Sequence, residues 1–174
     1  MEPNQIVKHM RLATTEVFTT MLGIELSAGD ERTELTAPAI SDGVMAFVGL
    51  AGPWSGAGVI SCSAGLACQV CNGLLMTEIG SVNEEVLDAV GEVANMVVGN
   101  FKTAAEEYLG PMGLSIPTVI YGRNFTSRSL GGSSWIVLPF RCGEETIEIR
   151  VCLTPSKEQT TQRGGYSHAS ALVA

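Results

Sequence analysis

The stretch NEEVLDAVGEVANMVVGNFKTAAEEYL, residues 83–109, decides how the chain is read. At 100° per residue it forms a helix with Val86, Val90, Val93, Val97, Phe101, Ala104 and Tyr108 on one side and Asp88, Glu92, Asn95, Gly99, Lys102 and Glu106 on the other. The apolar stripe demands a partner layer. The polar stripe is unusual in holding a carboxylate and an amide three residues apart on one face, with Gly99 one turn further on removing bulk beside them. That is the pattern of a site presented outward. Gly91 and Gly99 each cost the helix about 1 kcal/mol relative to alanine, so their presence points to close approach by a partner or a neighbouring element.

Outward from this helix the chain punctuates itself. Asn83 caps its start with Glu84 and Glu85 in the first turn, and Gly110-Pro111 ends it. A first helix runs from Pro3 and Asn4 to about Leu22, with Ile6, Met10, Leu12, Ala13, Val17, Phe18 and Met21 as its stripe and Gly23 as its stop. Ser63 caps a shorter helix from Ala64 to Met76. Strands are expected at 24–27, 32–37, 44–50 and 57–62, separated by turns at Gly29-Asp30, Ser41-Asp42-Gly43 and Gly52-Pro53-Trp54-Ser55-Gly56. Four more are expected at 114–121, 123–129, 133–140 and 146–153, with glycine turns at Gly131-Gly132 and Gly143. Helix then strands, twice over, describes an α+β fold: a loose internal duplication with a largely antiparallel sheet packed by two long helices. One domain over residues 1–154 fits the length, and 155–174, rich in Lys, Gln, Thr, Gly and Ser without periodicity, reads as a flexible tail.

Composition closes several doors. A formal charge of −8 with ten Lys and Arg and no basic run repels nucleic acid. No export signal and no run of eighteen apolar residues occurs, so a cytoplasmic protein without membrane association is expected, its five cysteines reduced and the Asn124-Phe125-Thr126 sequon idle. Cys68-Gln69-Val70-Cys71 matches a redox pair only in spacing and reads as buried helix cysteines. His9 and His168, the only histidines, stand far from any cysteine pair, so no metal site is expected. Trp54 is expected to fold from its loop onto the core.

Asp88-x-x-x-Glu92-x-x-Asn95, followed by twenty-one residues and Pro117, resembles the signature of the CheC/CheX/FliY family of phosphatases that act on the phosphorylated response regulator CheY. Leu114-Ser115-Ile116-Pro117-Thr118-Val119 resembles that family's strand after the active helix, and Phe18 to Gly23 the end of its first helix. Members with two sites carry a second Glu-x-x-Asn in the first helix; here Glu16-Val17-Phe18-Thr19 lacks the asparagine, and the position reached after the same twenty-one intervening residues is Ser41. The resemblance is therefore to the single-site CheX branch, and no flagellar-switch domain of the FliY kind is evident.

The resemblance implies a CheC-like fold and an aspartyl-phosphate phosphatase acting on a CheY-like receiver. Asn95, whose amide both donates and accepts, is then expected to orient the attacking water. Glu92 is expected to dock the lysine that receivers keep beside their phosphoaspartate. Asp88, Gly99 and Lys102 would extend the contact surface, and Pro117, which fixes φ and keeps Ile116 out of helix, would shape the neighbouring strand. The family also implies Mg²⁺ in the receiver rather than in this chain, and a homodimer formed through sheet edges. The alternative reading is an adaptor that binds a receiver or chemotaxis partner without hydrolysing the phosphate.

Overall fold

The computed structural model describes residues 2–36, 38–126 and 134–156. Three helices, α1 (Pro3–Leu22), α2 (Ala64–Leu75) and α3 (Glu84–Leu109), accompany eight strands: β1 (Ser27–Ala28), β2 (Arg32–Glu34), β3 (Ala39–Ala51), β4 (Trp54–Cys62), β5 (Gly113–Leu114), β6 (Thr118–Thr126), β7 (Trp135–Cys142) and β8 (Glu145–Pro155). Among the described residues every strand pairing is antiparallel.

The sheet shows the duplication directly. Its spine runs β7-β8-β4-β3; β1 and β2 lie outside β7, while β5 and β6 lie outside β3. Relating α1–β4 to α3–β8 sends β4 onto β8, β3 onto β7 and β2 onto β6 about an axis between the two central strands. The halves also exchange strands, because β2 of the first pairs with β7 of the second and β6 of the second with β3 of the first. Neither half completes its sheet alone.

The helices cover one face. Alternating residues of the strands, Val44, Ala46 and Val48 of β3, Ile60 and Cys62 of β4, Leu138 and Phe140 of β7, and Ile147, Ile149 and Val151 of β8, meet Met10, Val17 and Phe18 of α1 and the long apolar side of α3. The other sheet face carries a smaller buried cluster of Met45, Val59, Trp135, Val137 and Cys152. Beside it Arg32, Glu34, Glu148 and Arg150 form a closed set of ion pairs at 2.6–2.8 Å that ties β2 to β8 across β7.

α3 packs against both α1 and α2 and onto β3, β4 and β6. Its β-branched valines are poor helix formers. Burial of Val86, Val90, Val93, Val97, Val98 and Phe101, worth about 1.5–3 kcal/mol each, overrides that preference. Ala105 and Leu109 complete the buried side, where the sequence pattern pointed to Ala104 and Tyr108; Tyr108 is exposed and meets the ring of His9 at 5.9 Å. In α1, Leu12 and Met21 likewise face outward, and Thr14 is buried by donating its hydroxyl to the Met10 carbonyl at 2.8 Å.

Other expectations are corrected in the sheet. Asp42 and Gly43 are not a turn: they continue β3, and Gly43 pairs with Gly122, which in turn does not divide β6. The expected strand 114–121 is interrupted at residues 115–117. Trp54 opens β4 rather than sitting in a loop, and packs partly buried against the core. β8 reaches Pro155, and Ser156 donates its N–H to the Pro53 carbonyl at 2.9 Å. The expected glycine turn at 131–132 and residues 157–174 of the expected tail lie outside the described residues.

Candidate functional site

The helix start is built as its sequence requires. The Asn83 side chain accepts the Val86 N–H at 3.0 Å, and the two acidic residues that follow complement the helix dipole. With Val86, Val90, Val93 and Val97 turned inward, Asp88 and Glu92 are forced outward and exposed, and Asn95 is half-buried one turn on. Among the described residues no side-chain hydrogen bond or ion pair engages Asp88, Glu92 or Asn95. Two carboxylates at i and i+4 repel each other by a few tenths of a kcal/mol, so this face costs the fold a little and is balanced by nothing inside it.

Asp88 and Glu92 form a ridge with a groove on each side. One groove, of about 530 Å³, is lined by Leu87, Asp88, Gly91, Glu92, Pro117 and Val119. The other, of about 390 Å³, is lined by Leu74, Leu75, Glu85, Asp88, Ala89 and Glu92.

Pro117 stands immediately before β6 and faces α3 across the first groove. A methyl group on Gly91 would lie 3.1 Å from Val119 Cγ2 and 3.6 Å from Pro117 Cβ, so this glycine lets β6 approach the helix. Gly99 is half-buried, and the space beside it is occupied by Leu114 at 3.6 Å. Lys102 lies further along and is paired with Glu106 at 2.9 Å. The structure thus brings Asp88, Glu92 and Pro117 to one groove, with Asn95 next along the ridge, and sets Gly99 and Lys102 towards the far end of the helix.

Sequence reasoning missed the groove walls Leu75, Glu85, Leu87 and Val119, and the exposed Met76 and Ile116 that neighbour Leu75 and Pro117 in the chain. The signal lay in Leu74-Leu75-Met76 at a helix end and in an isoleucine just before Pro117, apolar residues where a solvated turn would be polar.

The competing sites find no support in geometry. Cys68 and Cys71 are buried in α2, and the Cys71 thiol donates to the Glu85 carbonyl at 3.7 Å. Among the described residues all five cysteines are free, and no group of three or more His, Cys, Asp or Glu side chains is placed to hold a metal ion. No helix among the described residues is long and apolar enough to cross a membrane.

Comparison with known proteins converges on one group. A protein of Thermotoga maritima described as CheY-P phosphatase CheX is 27% identical over 128 residues, covering 73% of this chain and 82% of that one. The crystal structure of a chemotaxis protein CheX from Desulfovibrio desulfuricans superposes with a TM-score of 0.77 at 30% identity, over 86% of this chain and 99% of that one. A CheX–CheY–BeF₃–Mg²⁺ complex from Borrelia burgdorferi contains a chain similar at a TM-score of 0.70 and 25% identity, covering 85% of this chain and 97% of that one. Residues 44–141, which include the whole polar ridge and Pro117, match the family described as chemotaxis phosphatase CheX, and the chain belongs to that family.

Proposed function

We propose that this protein stimulates hydrolysis of the aspartyl phosphate on a CheY-like response regulator. The observation that carries the reading is a ridge of exposed Asp88 and Glu92 with half-buried Asn95, free of side-chain partners among the described residues, on a deeply anchored helix of a CheX-family fold. The ridge enters the receiver's phosphorylation pocket. Glu92 accepts a charge-assisted hydrogen bond from the receiver's lysine and so fixes the register of the two proteins. Asn95, one turn on, holds a water in line with the scissile phosphorus, its carbonyl accepting from the water while its amide donates towards the phosphoryl oxygens. Phosphoryl transfer asks mainly for positioning and charge stabilisation, and a rigid helix supplies positioning. In this reading Mg²⁺ is held by the receiver rather than by this chain, and the protein acts in the cytoplasm with that receiver.

Asn95→Ala tests the chemistry. It is expected to abolish stimulated dephosphorylation while leaving affinity for the phosphorylated receiver within about twofold. Wild-type rates in the variant would sink the mechanism.

A further inference from the structure

We propose that two apolar prongs, Leu75–Met76 at the end of α2 and Ile116 ahead of β6, grip the receiver on either side of the Asp88–Glu92 ridge and set its affinity. This rests on the function proposed above and adds the residues that recognise the partner.

The prongs are exposed where burial would be expected. Leu75, Met76 and Ile116 are 48%, 94% and 86% exposed; Leu75 lines the second groove with Met76 next to it in the chain, and Ile116 directly precedes Pro117, which lines the first, both grooves sharing Asp88 and Glu92. Each prong therefore adjoins a groove walled by the ridge, and a body seated in the two grooves comes within reach of both.

Both prongs are held in place. Met76 is the one non-glycine with positive φ among the described residues, at φ 53°. That left-handed conformation is one which side chains adopt at a cost. The Asn72 side chain fixes the turn that follows, accepting the Ile79 N–H at 2.7 Å and donating to the Ile79 carbonyl at 3.2 Å. At the other prong Ser115 is locked to β3: its N–H donates to the Gly49 carbonyl at 2.9 Å, its hydroxyl accepts the Gly49 N–H at 2.8 Å and donates to the Ile116 carbonyl at 2.8 Å. Groups ordered before binding lose little entropy on binding. Apolar contacts around a polar centre also exclude water from it.

The partner surface follows from the chemistry. Glu85, Asp88 and Glu92 make the groove walls acidic, so the complement is a receiver whose phosphorylation pocket is rimmed by apolar side chains interleaved with lysine or arginine.

The test uses CheY-like receivers of the same genome, phosphorylated with acetyl phosphate, and steady-state stimulation by the full-length protein. Leu75→Ser/Met76→Ser and Ile116→Ser are each expected to raise KM about tenfold with kcat within twofold, whereas Asn95→Ala lowers kcat and spares KM. Met76→Gly relieves the positive φ and is expected to raise the melting temperature while also raising KM, a combination that a purely structural methionine would not produce. KM unchanged within twofold in the two serine variants, with wild-type stimulation intact, would overturn the prongs and leave the phosphatase reading standing. If the wild type gives no stimulation, binding to the beryllofluoride-activated receivers decides: tenfold weaker binding by the serine variants upholds the prongs, and unchanged binding overturns them. Failure of the wild type to bind any receiver would overturn both.

Discussion

Gly58 shows how a residue far from the ridge sets its position. It sits on β4 beneath α3, and a methyl group there would lie 2.4 Å from Val98 Cγ2, closer than two carbon atoms can stand. Val98 follows Asn95 by three residues on the same helix, so a helix lifted at Val98 carries the amide with it. Gly58→Ala is expected to cost about 1–3 kcal/mol, the range for overpacking a well-filled core. Adding Val98→Ala should recover most of the loss. Denaturant melts of the two single variants and the double variant give the coupling energy, and additive losses would show that the contact is not what positions the helix. At Gly91 the approach is softer, at 3.1 Å to a half-buried valine, and the glycine serves the groove rather than the core.

At the scale of elements, the helices were legible because their ends are chemical. Ser63 accepts the Leu66 N–H at 3.1 Å, Asn83 caps α3, and Gly23 adopts the left-handed φ of 65° that stops α1. The ridge was legible for a related reason, since a 3.6-residue period separates its polar side from the valines. Strand limits were not. Gly43 and Gly122 each look like turn residues in sequence, yet they lie opposite one another in β3 and β6, where the backbone ladder runs straight through both. The grooves could not be foreseen either, because each needs α3 and a wall some ten to thirty residues away in sequence. The far end of α3 carries its own test. The Met112 N–H, donating at 2.8 Å, and then the Lys102 ammonium hold the Glu106 carboxyl below its ordinary pKa, against a desolvation that raises it. A depressed carboxyl stabilises the fold above its unfolded-state pKa, and that contribution is lost as pH falls through its folded-state value. Glu106→Gln is therefore expected to melt below the wild type at pH 7, with the gap closing under acid as the wild-type carboxyl takes up its proton. A gap that stayed constant down to pH 3 would remove Glu106 as the lock on the end of α3.

At the scale of the whole molecule, the two halves share a plan but not a chemistry. Where α3 and the segment entering β6 enclose a groove walled by Asp88 and Glu92, α1 and the segment entering β2 enclose one lined by Asn4, Val7, Lys8, Arg11 and Glu31. The second groove has basic residues on its helix, so the symmetry of the fold does not extend to the site, in keeping with a single ridge. The duplication also leaves the two sheet edges unequal. β1 and β2 are two and three residues long, whereas β6 is nine residues long and its outer side has no strand beside it among the described residues. A long unpaired strand is a template for another, and pairing with a second copy in antiparallel register satisfies its free backbone groups under a closed twofold symmetry. We propose a homodimer through β6. Light scattering on the wild type is expected to return about twice the chain mass of 18.3 kDa. Tyr121 is half exposed near the middle of that strand, and Tyr121→Lys would set like charges against each other across the twofold axis and leave a monomer. Because the ridge lies on α3 and not on the strand, the monomeric variant is expected to keep its stimulation of dephosphorylation; a dimeric mass for Tyr121→Lys, or a monomeric one for the wild type, would move the interface elsewhere or remove it.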